Sequence, residues 1–154
     1  VLLAAALKIG AYLADAPAED AEKLYEFGVK MGLAFQLQDD WLDVYGDPKV
    51  FGKNIGGDIL CNKKTFMLIT ALEEANEEQR AVLEGWLAAR EYVPAEKIAA
   101  VTALYNEIGV GKRCQEKAEA LNAEGFAILD SINLPEERKA VLKEYACSML
   151  NRNV

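Results

Sequence analysis

Three carboxylates, Asp39, Asp40 and Asp43, interrupt an apolar helical run: Phe35-Gln36-Leu37-Gln38-Asp39-Asp40-Trp41-Leu42-Asp43. Bare charges are costly in apolar surroundings, so acids placed there call for a partner. Residues three and four apart share a helix face. The spacing therefore sets Asp39 and Asp40 each beside Asp43, with Gln36 one turn earlier on the same face. Carboxylates gathered in this way repel and raise one another's pKa unless a cation joins them. Mg²⁺ meets that need: it is hard, prefers oxygen, and commonly takes one or two carboxylates together with phosphate oxygens and water. The plainer reading is a solvated face near a helix end, although acids at a helix C-terminus oppose its dipole.

The segment that follows favours the metal. Phe51-Gly52-Lys53-Asn54-Ile55-Gly56-Gly57-Asp58-Ile59 is glycine-rich and carries a lysine, and Asn62-Lys63-Lys64-Thr65 adds two more. Paired glycines let backbone approach a ligand closely, and a lysine ammonium is a mobile point charge suited to phosphate oxygens. Acids with lysines nearby are what a Mg²⁺–diphosphate site requires. Lys53 also reads as an ordinary loop residue, and Lys63 and Lys64 as exposed first-turn residues of a helix over 63–75. Lysine at a helix N-terminus is disfavoured unless an anion is present. Asp58 stands either as an acid holding a lysine or a metal-bound water, or as a turn residue.

The elements that must position these groups are helical. Alanine, leucine, glutamate and lysine dominate, and β-branched runs are few. Residues 1–15 read as a helix. Residues 18–44 form a long amphipathic one with Leu24, Phe27, Met31, Phe35, Leu37, Leu42 and Val44 as apolar positions. Gly28 and Gly32 within it either admit a neighbouring helix closely or are merely tolerated. Gly46-Asp47-Pro48 stops that helix, because proline cannot continue it, and 46–62 is a loop of functional length. Further helices are expected over 63–75, 77–90, 95–109 and 112–131, with a last one from Pro135 and a break or kink at Gly109 and Gly111. The chain is an all-α helical bundle of six or seven helices, a single unit over 1–154, with no repeat or linker.

Composition narrows the function. The chain has 154 residues, is 52% hydrophobic and carries a net charge of −8, enough for a real core and the wrong sign for a nucleic-acid binder. It has no histidine, which removes Ser-His-Asp and Cys-His catalysis and the commonest zinc ligand. Cys61, Cys114 and Cys147 are odd in number and widely spaced, as expected of reduced thiols in a cytoplasmic protein. No apolar run reaches a membrane span's length. Trp41 and Trp86 read as packing residues, and Glu73, Glu74, Glu77 and Glu78 as a solvated face.

Phe35-Gln36-x-x-Asp39-Asp40-x-x-Asp43, Gly46-Asp47, Phe51-Gly52-Lys53, Gly57-Asp58-Ile59 and Asn62-Lys63-Lys64-Thr65, in this order, resemble the second aspartate-rich region of the trans-isoprenyl diphosphate synthases. This family includes farnesyl, geranylgeranyl and longer polyprenyl diphosphate synthases. The likeness extends weakly to Leu2-Leu3-Ala4-Ala5-Ala6-Leu7-Lys8 and to Leu142–Arg152. The resemblance implies the C-terminal part of the isoprenoid synthase fold and a Mg²⁺-dependent prenyltransferase that adds isopentenyl diphosphate to an allylic diphosphate. By position, Asp39 and Asp40 would hold Mg²⁺ on the allylic diphosphate with Asp43 in support. Lys53 would contact that diphosphate, and Gln36 and Phe35 would line the pocket near the reacting carbons. Lys63 would face a diphosphate, with Lys64 competing for the role.

The family carries a first aspartate-rich motif that has no counterpart here, since no other Asp-Asp pair occurs. The chain is therefore expected to be the C-terminal half of such an enzyme, inactive by itself, and to self-associate or form a homodimer that buries apolar helix faces. A class I terpene cyclase and a non-catalytic helical regulatory subunit are the alternatives. The cyclase lacks support because its Asn/Asp-x-x-x-Ser/Thr-x-x-x-Glu element is missing at Asp39–Asp43. The subunit would have no need of Asp39, Asp40 and Lys53.

Overall fold

The structure is a computed structural model that describes residues 1–47 and 55–150. Among them every regular element is helical: α1 (Leu2–Leu13), α2 (Ala18–Tyr45), α3 (Gly57–Leu60), α4 (Phe66–Glu74), α5 (Glu77–Ala88), α6 (Pro94–Ile108), α7 (Val110–Asp130) and α8 (Glu136–Leu150). Local chemistry accounts for most boundaries. Thr65 caps α4, its hydroxyl accepting from the Leu68 N–H at 3.2 Å. Asn76 and Gln79 form a reciprocal capping box at the start of α5. Pro94 occupies the first turn of α6, where its missing N–H costs nothing. Gly109, at φ +83°, ends α6 in the left-handed conformation that favours glycine.

Two departures from the sequence reading matter. The loop after α2 contains the one-turn helix α3. Lys63 and Lys64 precede α4 rather than opening it, because the Thr65 cap fixes the helix start three residues later than apolar periodicity suggests. Pro48, read as the stop for α2, lies outside the described residues.

The described residues form two compact units, with α2 and α7 each contributing to both. The first comprises residues 1–36 and 117–150. Its core gathers Ala11, Ala21, Leu24, Phe27, Met31, Leu129, Ile132 and Ala146, and Phe27 and Phe126 pack with ring centres 6.4 Å apart. Gly28 admits α1 closely: a Cβ there would lie 2.6 Å from Ala4 Cα. Gly32 has no neighbour within 4 Å. The two readings left open for this glycine pair therefore apply one to each.

The second unit comprises residues 37–47 and 55–116. Val44, Ile59, Met67, Leu68, Ala71, Leu83, Val101, Leu104, Tyr105, Val110 and Cys114 form its core, with Trp41 and Trp86 half-buried against it. Gly111 lies where a Cβ would meet the Tyr45 ring at 2.7 Å. Cys114 is buried, and its surroundings push the thiol up to about 12, so it stays protonated and inert. Glu73, Glu74, Glu77 and Glu78 are exposed as expected, with Glu74 paired to Arg113.

Candidate functional site

The last turns of α2, the helix α3 and the strand of chain leading to α4 assemble in the second unit. Gly56 makes the approach possible. It sits at φ +85°, a Cβ on it would lie 2.7 Å from Ile98 Cδ1, and its N–H donates to the Asp43 carbonyl at 2.6 Å. This turn presents the backbone of α3 to the Asp43 side chain, where the Asp58 N–H donates to Oδ2 at 2.8 Å. Asp43 is thus engaged by backbone.

Burial raises the Asp43 carboxyl above its ordinary value of 3.8, and the N–H groups of Asp58 and Gly57 only partly oppose this. The folded chain therefore holds the Asp43 proton to higher pH than the unfolded chain. Ionisation costs stability: the penalty is absent in strong acid, sets in as pH rises through the unfolded value, and is complete above the folded one. Asp43→Asn keeps an acceptor oxygen and removes the charge. We expect it to melt higher than the native chain at pH 7 and to lose that advantage below about pH 4, the ordinary carboxylate range, in melting curves recorded across pH.

Lys63 is the centre of the charge network. Its Nζ donates to Asp40 Oδ1 at 2.9 Å and to Asp58 Oδ2 at 2.7 Å. Asp40 is only 5% exposed, and a carboxylate buried that deeply requires such compensation. Asp58, first, and Asp40 raise the Lys63 ammonium well above its ordinary value, while burial pulls the other way. The side chain is still 44% exposed. Asp58 therefore holds a lysine, the first of its two readings.

Asn62 precedes Lys63 in the left-handed region, at φ +52°, which asparagine adopts more readily than most residues. Its amide is held at both ends: Nδ2 donates to the Leu87 carbonyl at 3.0 Å and Oδ1 accepts from Lys97 Nζ at 2.7 Å. Lys97 is fully buried, with its ammonium 4.4 Å from the centre of the Tyr92 ring. The Tyr92 hydroxyl donates to the Leu60 carbonyl at 3.2 Å. Tyr105 bonds Thr65, and burial raises its phenol well above its ordinary value. A cavity of about 10 Å³ lies among Asp40, Asp58, Asn62, Lys63 and Lys97, room for no more than one water.

Sequence reasoning missed Lys97 and Tyr92. Lys97 left a signal: it stands four residues before Val101 on the apolar stripe of Val101, Leu104, Tyr105 and Ile108. Charge concealed its place in that pattern.

The acids on α2 divide their roles. Asp40 and Asp43 both turn to the α3 segment. Asp39 is half-buried and forms no hydrogen bond or ion pair among the described residues. Among the described residues no three acidic or thiol groups gather so as to hold a metal ion. The reason is competition, since Lys63 and the Asp58 N–H claim oxygens that a three-acid cage would need. The donor set still suits Mg²⁺ bound mainly through phosphate oxygens and water, which needs one or two carboxylates. Phe35 is half-buried and Gln36 exposed on α2, in the first unit. Lys64 is exposed. Lys53 and Arg152 lie outside the described residues.

The sequence pattern of the polyprenyl synthetase family matches residues 1–108. The chain belongs to that family. It is 32% identical to the (2E,6E)-farnesyl diphosphate synthase of Mycobacterium tuberculosis over 98% of its own length and 43% of the relative's. It is 34% identical to the short chain isoprenyl diphosphate synthase of Methanothermobacter thermautotrophicus over 93% of its length and 40% of the relative's. The fold superposes on a crystal structure of geranylgeranyl pyrophosphate synthase with a TM-score of 0.89 and 30% identity, covering 99% of this chain and 47% of that one. It also superposes on the geranylgeranyl pyrophosphate synthase of Corynebacterium glutamicum complexed with isoprenyl diphosphate and magnesium. There the TM-score is 0.81 and the identity 31%, covering 93% of this chain and 40% of that one. The chain thus spans less than half the length of these relatives. Among the described residues no helix is long and apolar enough to cross a membrane.

Proposed function

We propose that this chain supplies the second acid-and-lysine half of a Mg²⁺-dependent prenyl transfer site, in which isopentenyl diphosphate is added to an allylic diphosphate. The observation that carries the reading is Lys63: held between Asp40 and Asp58 at 2.9 and 2.7 Å, its side chain stays 44% exposed, while Asp39, the neighbour of Asp40 on α2, forms no hydrogen bond or ion pair among the described residues. Asp39 would be the leading metal ligand, with Asp40 beside it and Asp43 supporting through the backbone of α3. Bound Mg²⁺ would neutralise the charge that builds on the departing pyrophosphate. Lys63 and Lys53 would orient the diphosphate by charge, and Phe35 and Gln36 would border the hydrocarbon near the reacting carbons. Membership of the family and the magnesium and isoprenyl diphosphate found with the Corynebacterium enzyme support this assignment.

The chain alone is proposed to be inactive, because the family's first acidic motif has no counterpart in it. A cytoplasmic location, and self-association that covers the exposed Leu2, Ile9 and Leu13 of α1, belong to the same proposal. The test is a prenyl transfer assay with allylic and isopentenyl diphosphates. The polypeptide extended by its upstream coding sequence should turn over only with Mg²⁺, and Asp39→Asn should lower its kcat by about 10²-fold or more, the scale of losing one group that stabilises transition-state charge. The chain of 154 residues should show no turnover. Turnover by that chain would overturn the half-site reading, and a magnesium-independent extended enzyme would overturn the metal assignment.

A further inference from the structure

We propose that Lys97 is a positioning residue for this site: its buried ammonium fixes the Asn62 turn and thereby delivers Lys63 to Asp40 and Asp58. The significance of the Lys63 network rests on the function proposed above; the coupling itself rests on geometry alone. Lys97 is 0% exposed, and among the described residues it forms no ion pair. Taking an ammonium out of water without a counter-charge is expensive, so the position has a specific use for a cationic donor. Its contacts identify that use. Nζ donates to Asn62 Oδ1 at 2.7 Å and rests over the Tyr92 ring, whose face is electron-rich.

Asn62 converts this anchor into backbone geometry. The Leu87 carbonyl takes its Nδ2, so the amide plane is set from both sides while the backbone holds φ +52°. The next N–H, that of Lys63, donates to the Asp58 carbonyl at 3.0 Å, and the Lys63 carbonyl accepts from Thr65 N–H at 2.8 Å. Rotation at Asn62 would carry the Lys63 side chain away from both carboxylates. An apolar residue at 97 would leave Asn62 Oδ1 without its donor inside the protein, a loss that is costly for a buried polar atom.

The experiment uses the full chain with its lysine side chains labelled with ¹⁵N, without metal or diphosphate, and follows ammonium proton exchange by NMR. Lys97→Met should speed exchange at Lys63 about tenfold, as its charge-assisted hydrogen bonds lose their geometry. Lys139, buried in the other unit with its Nζ on the Asp130 carbonyl at 2.7 Å, should keep its rate. Asn62→Gly accommodates the positive φ and deletes only the side-chain link, so it should give the same acceleration if Lys97→Met does not fold. Unchanged Lys63 exchange in either folded variant overturns the proposal. So does acceleration spread equally over the backbone amides of α4 to α6, which would signal general loosening. Since no diphosphate is present, failure here removes the role of Lys97 and leaves the functional assignment standing; absence of magnesium-dependent turnover does the reverse.

Discussion

Replacing Lys63 by methionine should cost about 2 kcal/mol of folding stability, read as a lower urea midpoint at pH 7. The charge removed is the one that Asp40, 5% exposed, and Asp58 both use. A fully buried pair broken on one side costs about 3–5 kcal/mol. The smaller figure reflects the 44% exposure of Lys63, which lets water stand in for part of its loss. Adding Asp40→Asn to Lys63→Met should recover part of the loss, because the buried charge goes with its partner. Equal midpoints for native and Lys63→Met chains would show the network to be surface decoration.

The other large effect belongs to a pair of glycines one turn apart. Gly28→Ala should destabilise by about 2 kcal/mol, whereas Gly32→Ala should be neutral or stabilising by up to about 1 kcal/mol. Alanine is the better helix former at either position, so propensity alone gives both substitutions the same sign. Sterics separates them. A Cβ at 28 would lie 2.6 Å from Ala4 Cα, which is backbone and cannot rotate aside, so α1 must move off α2. A Cβ at 32 meets nothing within 4 Å. Thermal melts of the two variants should therefore shift in opposite directions, and a shared sign would refute the close approach of α1 and α2.

The all-helical class was legible because it rests on local physics. The 3.6-residue apolar stripe, Thr65, Asn76, Pro94 and Gly109 each act within a turn or two of themselves, and the observed ends fall near the expected ones. The grouping of the acids could be read for the same reason: Asp39, Asp40 and Asp43 sit on one element, and Lys63 follows within a short stretch of chain.

Spacing on a helix says which groups can share a face and leaves open which partner each one takes. That choice belongs to the tertiary structure. Asp43 is claimed by the Asp58 N–H because the left-handed Gly56 turns α3 onto it. Asp40 is claimed by Lys63, 23 residues away, and Asp39 forms no hydrogen bond or ion pair among the described residues. Lys97 reaches Asn62 across 35 residues, a link that no local pattern encodes, since whether a lysine is buried depends on what packs over it. The amino-acid sequence by itself thus determined the helices, through interactions between near neighbours along the chain. Which partner Asp40 and Asp43 take was decided only where distant segments compete for the same few oxygens.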